Sequence, residues 1–337
     1  MPTDNLKQLK KEIAEQALRP CYILHGEESY LREYYLQKLA ACVYPTPETA
    51  AELTVLRGGR FQGEDLRNAL ESVSLLSERK LVVVRDLDIA KPDAKVRDAI
   101  ESLYIPEDVT LVFVYDTLEF KPDKRTKCYK QVNTLSLTVE LARQSETDLL
   151  PWLKRRFAAL GKQIETADAR YLLFLCGSLM TNLVNEVAKI ACYANGPAVT
   201  RADIDAVAAP VAETVVFQLT DELSAGHYDS AAARLRALLE AREEPVMLLG
   251  LLGRQIRGIY LAKLAMAARR DERFVAAAMG YKSSYPARKL MEPARRFSLA
   301  WCRRAVRLCS ETDQQLKGIR LGRDDALTLL LARLAIL

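Results

Sequence analysis

The chain has 337 residues, half of them apolar, with 49 Lys and Arg against 44 Asp and Glu, which is too long for one ordinary core and enough for two or three domains that each bury their own. No apolar run reaches the roughly 18 uncharged residues of a membrane span, and the polar start with Lys7, Lys10 and Lys11 lacks the apolar stretch of a signal peptide. Seven scattered cysteines without CxxC spacing, and only His25 and His227, argue against a disulfide framework and against a zinc or His-rich metal centre, so a reduced, cytoplasmic protein is expected.

Leu6, Leu9 and Ile13 mark an amphipathic first helix that Pro20 closes. Cys21 to His25 reads as a short apolar strand ending at Gly26, followed by a helix from about Tyr30 to Cys42. Leu53 to Leu56 is a second strand. A helix from about Glu64 to Val73 leads to Leu81–Val84, a β-branched run suited to a strand buried on both faces. Leu111 to Tyr115 is another such run, and Leu135 to Val139 the last. Strands alternating with helices predict a parallel sheet with helical crossovers. After Glu140 the strand signal stops. Ser145 is placed to cap a helix that Gly161 ends. Helices over about Ala167–Cys176 and Leu179–Ala194 follow, the second broken at Asn195-Gly196-Pro197, and Thr200 caps a short one before Pro210. From Glu213 onward everything reads as helix, punctuated by Gly226, Pro245, Gly280, Pro286, Pro293 and Gly322. No repeat or low-complexity stretch is visible. The expected architecture is multidomain α/β plus α: an α/β domain over 1–142, a small helical domain over 143–211 and a larger helical domain over 212–337.

Charge is unevenly spread. Residues 254–323 hold seventeen Lys or Arg against five acids, a surplus of +12, so the remainder sums to −7. Such a segment suits phosphate or an acidic partner, or is a solvated helical surface.

An apolar strand, a glycine and a helix form the setting of a phosphate-binding loop, whose glycines free backbone N–H groups for phosphate and whose Lys-Ser/Thr pair meets the terminal phosphates and magnesium. Laid on this chain, that motif puts Gly26 first, Leu31 at the second glycine, Arg32 at the lysine and Glu33 at the hydroxyl. Glu27 and Glu28 add like charge where phosphate would sit. The loop is degenerate, so no cofactor is expected; a different α/β architecture in which Gly26 merely ends a strand is the other reading. Asp86 and Asp116 sit at strand ends, where carboxylates bind magnesium in intact sites; without the loop, turn or structural roles suit them better. No nucleophile accompanies either histidine, and the adjacent acids Glu27-Glu28, Glu243-Glu244 and Asp324-Asp325 point in different directions on helices. No intrinsic catalytic site is expected.

Several segments, taken in order, resemble the delta subunit family of bacterial DNA polymerase III clamp loaders: Tyr22 to Glu28 with Tyr30-Leu31, Val73 to Lys80 before the Leu81 strand, Leu111 to Val114, Glu243 to Leu249 leading into Arg254-Gln255-Ile256-Arg257, and Ala294 to Ser298. The resemblance implies an N-terminal AAA+-like, clamp-binding domain, a small lid and a C-terminal helical collar that joins the other loader subunits. It also implies a hydrophobic pair, after a serine and before a strand, that inserts into a pocket on the clamp. The matching positions are Leu75 and Leu76, after Ser74; Leu76 stands where an aromatic is common. Read from the residues alone, an apolar dipeptide in a polar connector is either tucked under the sheet or exposed for a partner.

The partners so implied are the sliding clamp (the beta subunit), the tau/gamma motor subunits, delta-prime and, in the assembled holoenzyme, primer–template DNA. The basic collar, with Arg288, Lys289, Arg295 and Arg296, is the expected place for DNA or subunit contact. Tyr281, Tyr285, Phe297 and Trp301 lie among those charges and are suited to base stacking, although the i, i+4 spacing of Phe297 and Trp301 also fits packing within the collar. The absence of a Ser-Arg-Cys arginine-finger setting separates the chain from delta-prime and the motors. An AAA+-like DNA-binding regulator or helicase-loading adaptor is the alternative from another class.

Overall fold

The short apolar runs become strands because β-branched side chains fit a pleated surface, and their hydrophobicity is continuous where helices cover both faces. In the computed structural model, which describes residues 4–74, 76–281, 284–317 and 322–337, the chain forms two compact units, 1–144 and 145–337. In chain order the first contains α1 (Asp4–Ala14), β1 (Cys21–His25), α2 (Ser29–Val43), α3 (Pro47–Ala50), β2 (Thr54–Arg57), α4 (Gly63–Glu71), β3 (Lys80–Arg85), α5 (Ala94–Glu101), β4 (Val109–Val114), α6 (Lys127–Leu135) and β5 (Ser136–Glu140). The five strands are parallel in the order β2-β3-β4-β1-β5.

Side-chain alternation divides the strands between two cores. Cys21, Ile23, Val82, Val84, Leu111 and Phe113 pack with Leu66, Leu70, Val96, Ile100 and Val132 from α4, α5 and α6. Tyr22, Leu24, Leu81, Val83, Val112 and Val114 pack with Leu6, Leu9, Leu36 and Leu39 from α1 and α2. This is the expected α/β layering, helices on both faces of a parallel sheet.

The second unit opens with α7 (Glu146–Ala159), whose Ser145 hydroxyl accepts from the Asp148 amide at 3.3 Å. Then come β6 (Gln163–Ile164), α8 (Thr166–Cys176), α9 (Met180–Tyr193), β7 (Ala198–Val199) and α10 (Arg201–Val207). The remainder is helical: α11 (Ala212–Ala225), α12 (Tyr228–Glu240), α13 (Pro245–Ala267), α14 (Glu272–Met279), α15 (Ser284–Arg296), α16 (Leu299–Lys317) and α17 (Arg323–Ala335). The long α13 is the axis of this bundle. Leu252, Ile256, Ile259 and Ala262 along it join Leu290, Trp301, Cys302, Ala305 and Leu330 in one core. Gly258 admits α15 closely, since a Cβ there would lie 2.8 Å from Leu290 Cδ1.

The structure corrects several expectations. The helix drawn to Val73 ends at Glu71, because Ser72 takes extended angles (φ −67°, ψ 135°) and leaves Val73 and Ser74 in the connector. Leu135 closes α6 instead of opening β5. The crossover helices α5 and α6, of eight and nine residues, and the single turn α3 are too short for an apolar period to stand out in a linear reading. Strand pairing does not stop at Glu140, since β6 and β7 form a two-stranded parallel ladder too short to leave a periodic signal. Pro286 and Pro293 do not interrupt the helical run. Pro286 lies in the first turn of α15, where its missing N–H costs nothing. Pro293 lies inside the helix, and its carbonyl still accepts from the Phe297 amide at 3.0 Å.

Candidate functional site

At the end of β1, Gly26 has φ +118°, and a Cβ there would sit 2.5 Å from the Leu141 carbonyl oxygen. Only glycine fits. The Leu141 amide donates to the His25 carbonyl at 2.7 Å and the Glu28 amide to the Leu141 carbonyl at 2.9 Å, so the loop is sewn to the residue after β5. Leu31 packs against the α1–α2 core. Arg32, at the position of the phosphate-binding lysine, is only 5% exposed. Its guanidinium donates to the Gly26 carbonyl, with Nε 3.5 Å from Asp116 Oδ1. Glu33, in the hydroxyl position, accepts from Arg85 at 2.9 Å, and Arg85 also reaches Asp116 Oδ2 at 2.6 Å. The charges that would face a triphosphate are instead joined to one another and to the loop backbone.

Asp86 is likewise engaged. Its Oδ1 accepts the amides of Asp116, Thr117 and Leu118 at 2.8, 2.9 and 3.0 Å, and Oδ2 accepts the Thr117 hydroxyl at 2.9 Å. Burial pulls this carboxyl upward, yet those donors, with Leu118 foremost, hold it below the usual carboxylate range. It shapes the turn after β4, the structural role the sequence favoured. Burial also pushes the His25 imidazole down, beside a Phe120 ring 4.5 Å away. Among the described residues no cluster of three His, Cys, Asp or Glu is arranged to hold a metal, and no helix is long and apolar enough to cross a membrane.

The connector between α4 and β3 has the opposite character. Glu52 pins it from outside: its carboxylate accepts from the Ser74 hydroxyl and, at 3.1 Å, from the Leu76 amide. The Ser77 amide donates back to Ser74 Oγ at 3.0 Å. Lys80 closes the base by donating to the Ser72 carbonyl at 3.1 Å. On this tethered turn Leu76 is 58% exposed and Val73 81% exposed. Leu75 lies outside the described residues. Val73 is an apolar group that sequence reading misses, because it falls at the end of the expected helix, two residues beyond the end of α4 at Glu71.

The basic residues singled out in the C-terminal helices all lie on α15, and three of them have local partners. Arg288 lies 3.7 Å from Glu272, Lys289 lies 3.2 Å from Glu292, and Arg296 donates to Ser224 Oγ at 3.4 Å. Arg295 is exposed, and its side chain has no partner among the described residues. Phe297 and Trp301 are stacked 3.6 Å apart in the core, with Trp301 Nε1 donating to the Leu334 carbonyl at 3.2 Å, so they are closed to bases. Tyr281 lies under Arg254, and Tyr285 packs edge-on against Phe174 and accepts from Arg201 at 3.3 Å. Beneath this surface Asp221 Oδ1 is buried without a hydrogen-bond partner. Burial pushes its carboxyl up to about 6, against the pull of Lys289 and Arg296.

Residues 213–334 match the family model for the DNA polymerase III delta subunit, C-terminal domain. The chain is 25% identical over 273 residues to a probable DNA polymerase III subunit delta of Aquifex aeolicus, covering 78% of this chain and 76% of that protein. It is 23% identical over 264 residues to the DNA polymerase III subunit delta of Bacillus subtilis, with 75% of each covered. In fold it is similar to the Bacillus subtilis DNA clamp loader delta protein, with a TM-score of 0.54 and 20% identity over 98% of this chain and 100% of that one.

Proposed function

We propose that this chain, a clamp-loader subunit of the DNA polymerase III delta type by its C-terminal domain and its relatives, binds the sliding clamp and opens it without using nucleotide itself. The observation that carries this reading is the tethered connector: Val73 and Leu76 project from a turn that Glu52 holds through Ser74 and the Leu76 amide. Exposed apolar side chains on a fixed turn are suited to a pocket on a partner, because little ordering entropy is lost on docking. Leu75, between them, is the third member of the proposed contact. The consumed charges of the Gly26 loop support the absence of nucleotide chemistry.

In the same reading, residues 143–211 act as a lid and 212–337 as a collar that joins the motor subunits and delta-prime. The collar's surplus of +12 between residues 254 and 323 then faces a neighbouring subunit or primer–template DNA. With Phe297 and Trp301 buried, phosphate contact through exposed groups such as Arg295 is better supported than base stacking.

Clamp release tests the proposal. Labelled sliding clamp is placed on nicked circular DNA and incubated with the chain alone. Loss of clamp from the DNA without ATP is the expected result. Clamp retained on the circle despite saturating chain overturns the ring-opening role.

A further inference from the structure

A second surface of the α/β unit is unaccounted for by clamp binding. Among the described residues the edge strand β2 pairs only with β3, and no strand lies on its other side. Its register sets Val55 beside Val83 and Arg57 beside Arg85. Val83 belongs to the core that α1 and α2 cover, but that cover does not extend over the edge, and Val55 is 44% exposed. Beyond the strand the chain turns through Gly58 and Gly59. Gly58 is obligatory, since a Cβ would lie 2.0 Å from the Asp86 carbonyl oxygen, and its amide donates to the Arg85 carbonyl at 2.7 Å. The Arg60 amide closes the turn onto the Arg57 carbonyl at 3.1 Å.

A cleft of about 710 Å³ runs along this edge, lined by Val55, Leu56, Arg57, Arg60, Phe61 and Arg85. Arg85 is spoken for by Glu33 and Asp116. Arg57 and Arg60 are exposed, and their side chains make no ion pair or hydrogen bond among the described residues. Two exposed guanidiniums on a backbone-bonded turn, beside an apolar side chain and a strand edge, form a site for an anionic ligand that is itself extended and partly apolar.

We propose that the β2 edge is a docking site for an acidic, extended peptide segment of a partner protein, which adds as a strand to β2 and sets its carboxylates against Arg57 and Arg60. The open edge supplies main-chain donors and acceptors, and alternation sends every second side chain of the guest to the Val55–Arg57 face. Arginine binds carboxylate in a bidentate fork, which orients the guest as well as holding it. Phosphate would satisfy the guanidiniums equally. It would make no use of the strand edge or of Val55, so the peptide is the better fit to the whole cleft.

The full-length chain is titrated into a fluorescein-labelled peptide that alternates glutamate with valine and threonine, and binding is followed by anisotropy. Saturable binding is expected, weakened at least tenfold by Arg57→Glu/Arg60→Glu, with the variant's melting temperature unchanged because both side chains are solvent-exposed. A peptide of the same charge with proline at alternate positions cannot complete the ladder and is expected to bind at least tenfold more weakly. No binding, or binding indifferent to both arginines, overturns the proposal. Equal binding of the proline peptide overturns strand addition. A fluorescein-labelled oligo(dT) of matched charge that binds more tightly than the peptide, through the same two arginines, overturns it in favour of nucleic-acid phosphate.

Discussion

Two loops of the same α/β unit have been built in opposite senses. The Gly26 loop stands between a strand and a helix, where a phosphate-binding loop would, but closes its charges inward, Arg32 onto the loop's own carbonyl and Asp116 onto Arg85. The Val73–Ser77 connector keeps its polar groups for anchorage, through Ser74 and Glu52, and turns Val73 and Leu76 outward. The contrast is one of purpose. Buried, paired charge stabilises a position in the fold, whereas exposed apolar surface on a tethered turn contributes nothing to the free chain and is available to a partner. The first loop is then expected to respond to substitution through stability, and the second through binding.

The largest effect is expected at Gly26. Gly26→Ala places a Cβ against the Leu141 backbone at a φ that alanine rarely adopts, and the chain is expected to lose about 3 kcal/mol or more, read from urea unfolding of the full chain. A variant as stable as the parent would mean that the loop relaxes freely and is not sewn to Leu141. Next comes Arg32→Ala. It leaves the Gly26 carbonyl without its donor and takes one cation from Asp116, which keeps Arg85. A loss of about 2 kcal/mol is expected, below the roughly 3–5 kcal/mol of a fully orphaned buried charge, and clamp affinity should not change.

Asp221 shows what a buried carboxyl does when it is not consumed. Its folded pKa, raised by burial to about 6, lies above the unfolded value. The folded state therefore holds more protons between roughly pH 4 and 6, and stability falls as pH rises through that window. Asp221→Asn removes the ionisation. It is expected to raise the melting temperature by about 2–4 °C at pH 7.5 and to lose that advantage near pH 4. A gain independent of pH would assign the effect to packing and not to charge.

Much of this contrast was legible in the chain. Leu81–Val84 and Leu111–Tyr115 announced buried parallel strands because their β-branched runs are continuous, whereas the pairing of Arg32 with Asp116 and of Glu33 with Arg85 joins residues far apart in the chain and left no local signal. The crossover helices α5 and α6 carry helical apolar spacing but were not legible, because at eight and nine residues they are shorter than the window over which that period stands out. The anchor of the connector was also hidden. Glu52 is 22 residues from Ser74, and no linear spacing rule connects a carboxylate beside one strand to a serine beside the next. The exposure of Val73 depended on where α4 stops, a boundary set by the backbone angles of Ser72. In the C-terminal helices, the i, i+4 spacing of Phe297 and Trp301 pointed correctly to a packed pair. The local pairing of Arg288, Lys289 and Arg296 depends on residues from different turns and helices.

The central claim, that the connector serves a partner and not the core, is tested by Leu75→Ala/Leu76→Ala, with clamp affinity and thermal unfolding measured on the same preparation. The account predicts a clamp affinity about a hundredfold weaker, the equivalent of about 3 kcal/mol for two docked leucines, together with a melting temperature within about 2 °C of the parent. A folded double variant with unchanged clamp affinity, or one whose melting temperature collapses as a core pair's would, contradicts it.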